Sequence, residues 1–260
     1  MSMTYLSYLK VPELLSLQER RSQPEEHDEM LFIVIHQAYE LWFKQILHEL
    51  EAMRRALVEG SVWEAMRLMR RTLTILKVLV HQVDILETMT PLSFNQFRSF
   101  LADSSGFQSV QFRELEILCG VHTRGALAMH PEGSAPHQQL LARMEEQTLW
   151  EAFCAFLRSQ GLEMPTPERD LSQAPIHPPT EAAQEVLLKV MREREEASLL
   201  CELLVDFDEG LQEWRYRHVK MVERTIGHKP GTGGSAGVGY LLKTLHRPVF
   251  PDLWAIRNKL

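Results

Sequence analysis

Cysteine is scarce: Cys119, Cys154 and Cys201 are the three in 260 residues, widely spaced, odd in number and set among apolar neighbours. Such a pattern argues against a disulfide framework or a cysteine-rich zinc cluster and fits a reducing compartment. Long apolar runs are missing too. No stretch approaches the ~20 residues that span a bilayer, and the start, MSMTYLSYLKVPELL, lacks the basic segment and apolar run of a secretory leader. No membrane partner and a cytoplasmic location are therefore expected. Basic residues are in deficit, 28 Lys and Arg against 35 Asp and Glu, for a formal charge of −7. A phosphate backbone is bound by clustered positive charge, so nucleic acid is not an expected partner. Alternating strand-like runs and internal repeats are also lacking.

What is present is helical spacing. From Glu25 to about Leu57 apolar residues recur on one face, including Leu31, Ile35, Trp42, Ile46, Leu50 and Met53, with Glu25, Glu26 and Asp28 at the dipole-favoured start. Gly60 ends this helix, and Ser61 to Glu64 reads as a capping box opening a second long helix to about Glu87, antiparallel to the first. Ser93 to Gln96 reads as another capping box, with a short helix through Leu101, a loop at 104–106 and a helical stretch from Gln108 to Leu118. Residues 122–180 are more broken, with short helices expected near 137–145 and 147–160 and a proline-rich connector ending at Thr180. Thr180 is placed to cap a helix running to about Asp208, and Gln212 to Ile226 forms another that ends at Gly227. The expected fold is all-α, a single domain of long packed helices over residues 1–260.

Candidate chemistry is sparse. Gly231 to Gly239 contains five glycines, but a helix rather than a strand precedes them, which is the wrong context for dinucleotide binding, and no Lys-Ser or Lys-Thr closes a P-loop. A connector or a lid remains. The 11 histidines include no His-Glu-x-x-His pair. His218 lies within a turn of Trp214, Met221 and Val222, where one imidazole could serve as an axial haem ligand or simply pack. Without Cys-x-x-Cys-His, any haem would be held noncovalently. Phe32 and His36, and likewise Phe94 and Arg98, stand at i, i+4, pairing an aromatic ring with an imidazole and with a carboxylate-binding guanidinium. A core histidine and a surface ion pair are the ordinary alternatives.

At these same positions the sequence resembles the tryptophan 2,3-dioxygenase family over nearly its whole length. The carriers are YLSYL (5–9), HDEMLFIVIHQAYELWFK (27–44), LETMTP (86–91), Phe94 to Arg98, SSGFQS (104–109), WRYRH (214–218) and GTGGS (231–235). The resemblance implies a b-type haem, one per subunit and ferrous when active, enclosed by the helices with His218 as axial ligand to the iron and Ser105 close by. It implies that His36 hydrogen-bonds the indole N–H as the catalytic distal residue, that Phe32 and Phe94 wall the ring, that Arg98 takes the substrate carboxylate, and that Thr232 contacts the amino-acid end. It further implies a homotetramer in which segment 1–24 brings Tyr5, Tyr8 and Leu9 to a neighbouring subunit's pocket. The implied reaction cleaves the indole C2–C3 bond of L-tryptophan with O2 to give N-formyl-L-kynurenine, the first step of the kynurenine pathway. A related haem monooxygenase acting on tryptophan or a substituted tryptophan is the alternative. Ala236 departs from the family's usual second serine in the glycine loop, and 122–180 is the least similar region.

Overall fold

Two 32-residue helices and a 25-residue helix between them in sequence organise the chain. The computed structural model describes residues 2–121, 127–231 and 237–260, all helix, turn and loop with no strand among them. In chain order the helices are α1 (Tyr5–Leu9), α2 (Val11–Leu14), α3 (His27–Val58), α4 (Val62–Leu86), α5 (Pro91–Phe97), α6 (Val110–Leu118), α7 (Ala135–Glu145), α8 (Leu149–Ser159), α9 (Glu181–Glu193), α10 (Glu195–Ile226), α11 (Val238–Leu242) and α12 (Pro251–Ala255). They form a single packed helical domain.

α3 and α4 are antiparallel. Tyr39 donates its hydroxyl to the Leu79 carbonyl at 2.9 Å, Gln82 reaches the Ile35 carbonyl at 3.0 Å, and Arg71 meets Glu49 at 3.0 Å. α4 packs in turn on α10, and α8 on α3. Their apolar stripes close a core containing Ile46, Leu50, Met53, Met69, Phe153 and Phe207, all shielded from solvent. Each such side chain contributes about 1.5–3 kcal/mol through burial. A second, smaller cluster of Ile35, Leu86, Met89, Phe94 and Phe97 joins α3, α4 and α5, with Phe32, Met221 and Ile226 packed against it.

The helix ends differ in places from the sequence expectation. Ser61 makes no capping bond to α4. The cap of α5 is Thr90, which accepts the Ser93 N–H at 3.1 Å with Pro91 in the first turn, so Ser93 lies inside the helix rather than at its start. The expected interruption between Asp208 and Gln212 is absent, and α10 runs unbroken from Glu195. The break falls at Arg194 instead, at φ −130° and ψ 82°. There the sequence RERE (192–195) offers no apolar anchor, whereas Gly210, inside the continuous helix, faces Leu76 of α4. Thr180 and Thr148 cap α9 and α8, the latter in a full capping box with Glu151.

Candidate active site

α3 presents Phe32, His36, Tyr39, Glu40 and Phe43 on one face, the i, i+4, i+7, i+8, i+11 spacing of a helix stripe. α10 presents Trp214, Arg215, His218, Met221 and Thr225 toward the same space. α5 adds Phe94, with Arg98 following it, and the 104–109 loop adds Ser105 and Gly106. Together they enclose a largely apolar cavity of about 270 Å³.

His36 sits beside Phe32, ring centroids 4.1 Å apart, and its Nδ1 lies 2.7 Å from the Phe32 carbonyl. A carbonyl only accepts, so Nδ1 carries the proton and Nε2 keeps a lone pair. Desolvation lowers the His36 pKa below its ordinary 6.5, against the opposing pull of the Phe32 carbonyl and Glu40. The ring has accessible area, but that area borders the cavity, which accounts for a desolvated imidazole that is not covered. Phe32 lies 5.8 Å from Phe94 and 5.6 Å from Phe97, forming an aromatic wall.

His218 stacks on Trp214, centroids 5.4 Å apart and planes 12° from parallel. Burial lowers its pKa to about 4, helped by His36 and Arg113 nearby. At neutral pH both imidazoles are therefore uncharged, with lone pairs available. Neither ring nitrogen of His218 has a hydrogen-bond partner among the described residues. A neutral imidazole on an apolar cavity wall, with a nitrogen free to coordinate, fits an axial metal ligand. Among the described residues no three His, Cys, Asp or Glu side chains gather into a metal cluster. A metal held here would therefore need further ligands from a cofactor.

Arg98 is half-buried at the rim and donates to the Pro230 carbonyl at 2.6 Å, next to the glycine loop. Ser105 lines the cavity while its hydroxyl accepts the Phe107 N–H at 3.3 Å. Six of the anticipated residues thus converge: Phe32, His36, Phe94, Arg98, Ser105 and His218. Tyr5 and Tyr8, 73% and 69% exposed, and Leu9 stand on α1 away from this chain's own cavity. Thr232 lies outside the described residues. Sequence reading missed Tyr39, Met89, Arg113, Glu116 and Arg215 in the lining. Tyr39 was available from the α3 stripe, since it follows Phe32 by seven. The buried arginines gave no signal, because charged residues on a helix ordinarily face water.

The fold and site define an all-helical protein whose cavity sets two neutral imidazoles and a rim arginine around an aromatic-walled slot, a receptor for a flat aromatic molecule bearing an anionic group. The tryptophan 2,3-dioxygenase family model matches residues 1–164 and 177–260. Relatives named tryptophan 2,3-dioxygenase are 54% identical over 259 residues in Anaeromyxobacter sp. (strain K) and 53% over 261 in Herpetosiphon aurantiacus, covering all of this chain and 97% and 99% of theirs. Another, from Nocardioides sp., is 45% identical across 99% of this chain and 95% of its own. The chain belongs to the tryptophan 2,3-dioxygenase family. The unmatched stretch, 165–176, lies in the proline-rich connector and contributes no residue to the cavity lining.

Proposed function

We propose that this protein cleaves the C2–C3 bond of L-tryptophan with O2 to give N-formyl-L-kynurenine, the opening step of tryptophan degradation, using one b-type haem per subunit. The observation that carries the proposal is the presence of His36 and His218 on the wall of one apolar cavity, both neutral, with Arg98 at its rim. His218 would hold the iron. Haem, when bound, supplies the ferrous iron that activates O2.

This chain's residues do the rest. Phe32 and Phe94 would wall a flat ring, and the apolar lining excludes bulk water. His36, its Nδ1 proton committed to the Phe32 carbonyl, offers Nε2 to an indole N–H. Indole is too weak an acid to need a strong base here, so His36 orients the ring by accepting that hydrogen bond. Arg98 would exchange its bond to Pro230 for the substrate carboxylate, a charge-assisted and bidentate partner. That exchange would couple substrate binding to the segment leading into the glycine loop, where Thr232 would meet the amino-acid end. Ser105 would border the haem and the distal side.

We further propose a cytoplasmic homotetramer in which segment 1–24 extends to a neighbour, so that Tyr5, Tyr8 and Leu9 complete its pocket. The exposure of these side chains, together with Met3, Leu6 and Leu15, supports this, because so much apolar surface on a short segment calls for a partner. No helix among the described residues is long and apolar enough to cross a membrane.

The test is mass spectrometry of the product formed from L-tryptophan and isotopically labelled O2 by reduced, haem-loaded protein. Two labelled oxygens in N-formylkynurenine are expected. A singly labelled product would assign monooxygenation instead, and haem uptake without turnover would overturn the substrate.

A further inference from the structure

The charges inside the cavity do not balance. Among the described residues three guanidiniums line it, Arg98, Arg113 and Arg215, against two carboxylates, Glu40 and Glu116. Glu40 is held by Gln111, whose Nε2 donates to it at 2.9 Å. Glu116 is shared: Arg113 pairs with one of its oxygens and Arg215 approaches the other at 3.3 Å. All three members of this group are buried, with Arg113 7%, Glu116 7% and Arg215 4% exposed. One carboxylate thus serves two buried cations.

The donor count is equally lopsided. A guanidinium carries five N–H donors. Among the described residues Arg113 spends one on Glu116, and its Nε is buried with no acceptor. Arg215 adds to its Glu116 bond a long contact of 3.5 Å to the Arg247 carbonyl and, among the described residues, no other. Arg113 is also fixed in place, its guanidinium carbon 5.5 Å from the Phe107 ring centroid and 5.3 Å from that of Phe112. Asp208, the buried acid on α10, offers nothing: it accepts from Gln212, from the Val249 and Phe250 N–H groups and from the Trp254 indole. Half-buried Arg143, outside the cavity, meets three carboxylates, Glu51, Glu114 and Glu146, although its Nε too lacks an acceptor among the described residues. A buried, underpaired cation is costly, and a bound anion removes the cost.

Arg215 stands three residues before His218 on the same helix, and Arg113 is near enough to influence that ring. We infer that Arg113 and Arg215, bridged by Glu116, form an anion seat that receives the carboxylates of the tetrapyrrole whose iron His218 would hold. The inference rests on the haem reading above. It assigns the excess positive charge to the cofactor and leaves Arg98 for the substrate.

The experiment uses the full chain, loaded with iron protoporphyrin IX or with its dimethyl ester, which keeps the ring and iron but lacks both charges. Release to excess apomyoglobin is followed in the Soret band for the wild type, Arg113→Gln and Arg113→Lys. A charge-assisted bond of about 1.5–3 kcal/mol corresponds to a change of roughly ten- to a hundredfold. The wild type should lose the diester faster than haem by such a factor. Arg113→Gln should speed haem release and leave diester release unchanged, while Arg113→Lys should restore part of the difference. Equal acceleration of both, or equal release of both by the wild type, overturns the anion seat while leaving haem binding intact. Failure to take up either porphyrin overturns the haem reading and the seat with it. Should Arg113→Gln not fold, the wild-type comparison of haem with diester still decides.

Discussion

Gly237 has the tightest surroundings among the described glycines. Its φ is +57°, and a Cβ added there would lie 2.8 Å from the Lys229 carbonyl oxygen. Gly237→Ala is expected to cost at least about 1 kcal/mol through the positive φ alone, plus the displacement of Lys229. A lowered urea midpoint and weaker tryptophan binding should follow. Gly239→Ala, with open space around it and no positive φ, should be close to neutral in the same titration. At Arg98, replacement by Ala should raise the tryptophan concentration needed for half-maximal turnover while leaving the haem spectrum unchanged. Arg98→Lys should recover only part of that loss, since an ammonium cannot make the two parallel bonds of the guanidinium. His36 and Arg98 were legible in the sequence because each stands one turn from a phenylalanine and lies within a motif shared with the family. Arg113 was not, and Arg215 was passed over although it lies within WRYRH, because nothing in a helical spacing distinguishes a cation turned inward from one turned to water.

Helix boundaries were legible where a side chain does the capping. Thr180 and Thr148 accept the backbone N–H groups that the first turns leave unpaired, whereas Ser61, an equally good candidate by residue type, makes no such bond. The break expected between Asp208 and Gln212 spans Gly210, which does not interrupt α10. Its role is packing: a Cβ there would touch Leu76 at 3.4 Å, an ordinary contact. Gly210→Ala is therefore expected to stabilise the protein by roughly 0.5–1 kcal/mol, read from thermal or urea unfolding. The proline-rich connector is tied down by His177, whose Nδ1 donates to the Glu168 carbonyl at 2.9 Å while its Nε2 accepts from Thr148 at 2.9 Å. Burial lowers its pKa below 6.5, outweighing the Glu168 carbonyl and Glu151. Below pH 6.5 the unfolded chain then binds a proton that the folded one resists, so this site's contribution is complete above that pH and declines as the solution is acidified toward the lowered value. His177→Gln should flatten the fall of the urea midpoint between pH 6.5 and 5, and an unchanged slope would contradict this role.

For the molecule as a whole, a pocket completed by a neighbour predicts complementation. A chain lacking residues 1–24 should be nearly inactive alone, and so should full-length His36→Ala. Mixed and reassembled subunits should regain activity, because the first keeps an intact cavity and the second supplies the missing segment. Sedimentation of the mixture gives its oligomeric state, and assembled but inactive mixtures would refute the exchange. The all-helical architecture was legible from apolar periodicity, but the meeting of α3 and α10 was not, since no local pattern says which stripes face one another. That meeting has a consequence for how the protein is made. His36 leaves the ribosome long before His218. At about 5–20 residues per second the interval is on the order of ten to forty seconds. During it Phe32 and the rest of the α3 stripe have no opposite wall, and contacts so distant in sequence form late once the chain is free. Capture of the proposed haem would thereby be confined to the end of synthesis, so cells making the chain faster than they supply haem should accumulate fully folded but empty protein rather than half-made complexes.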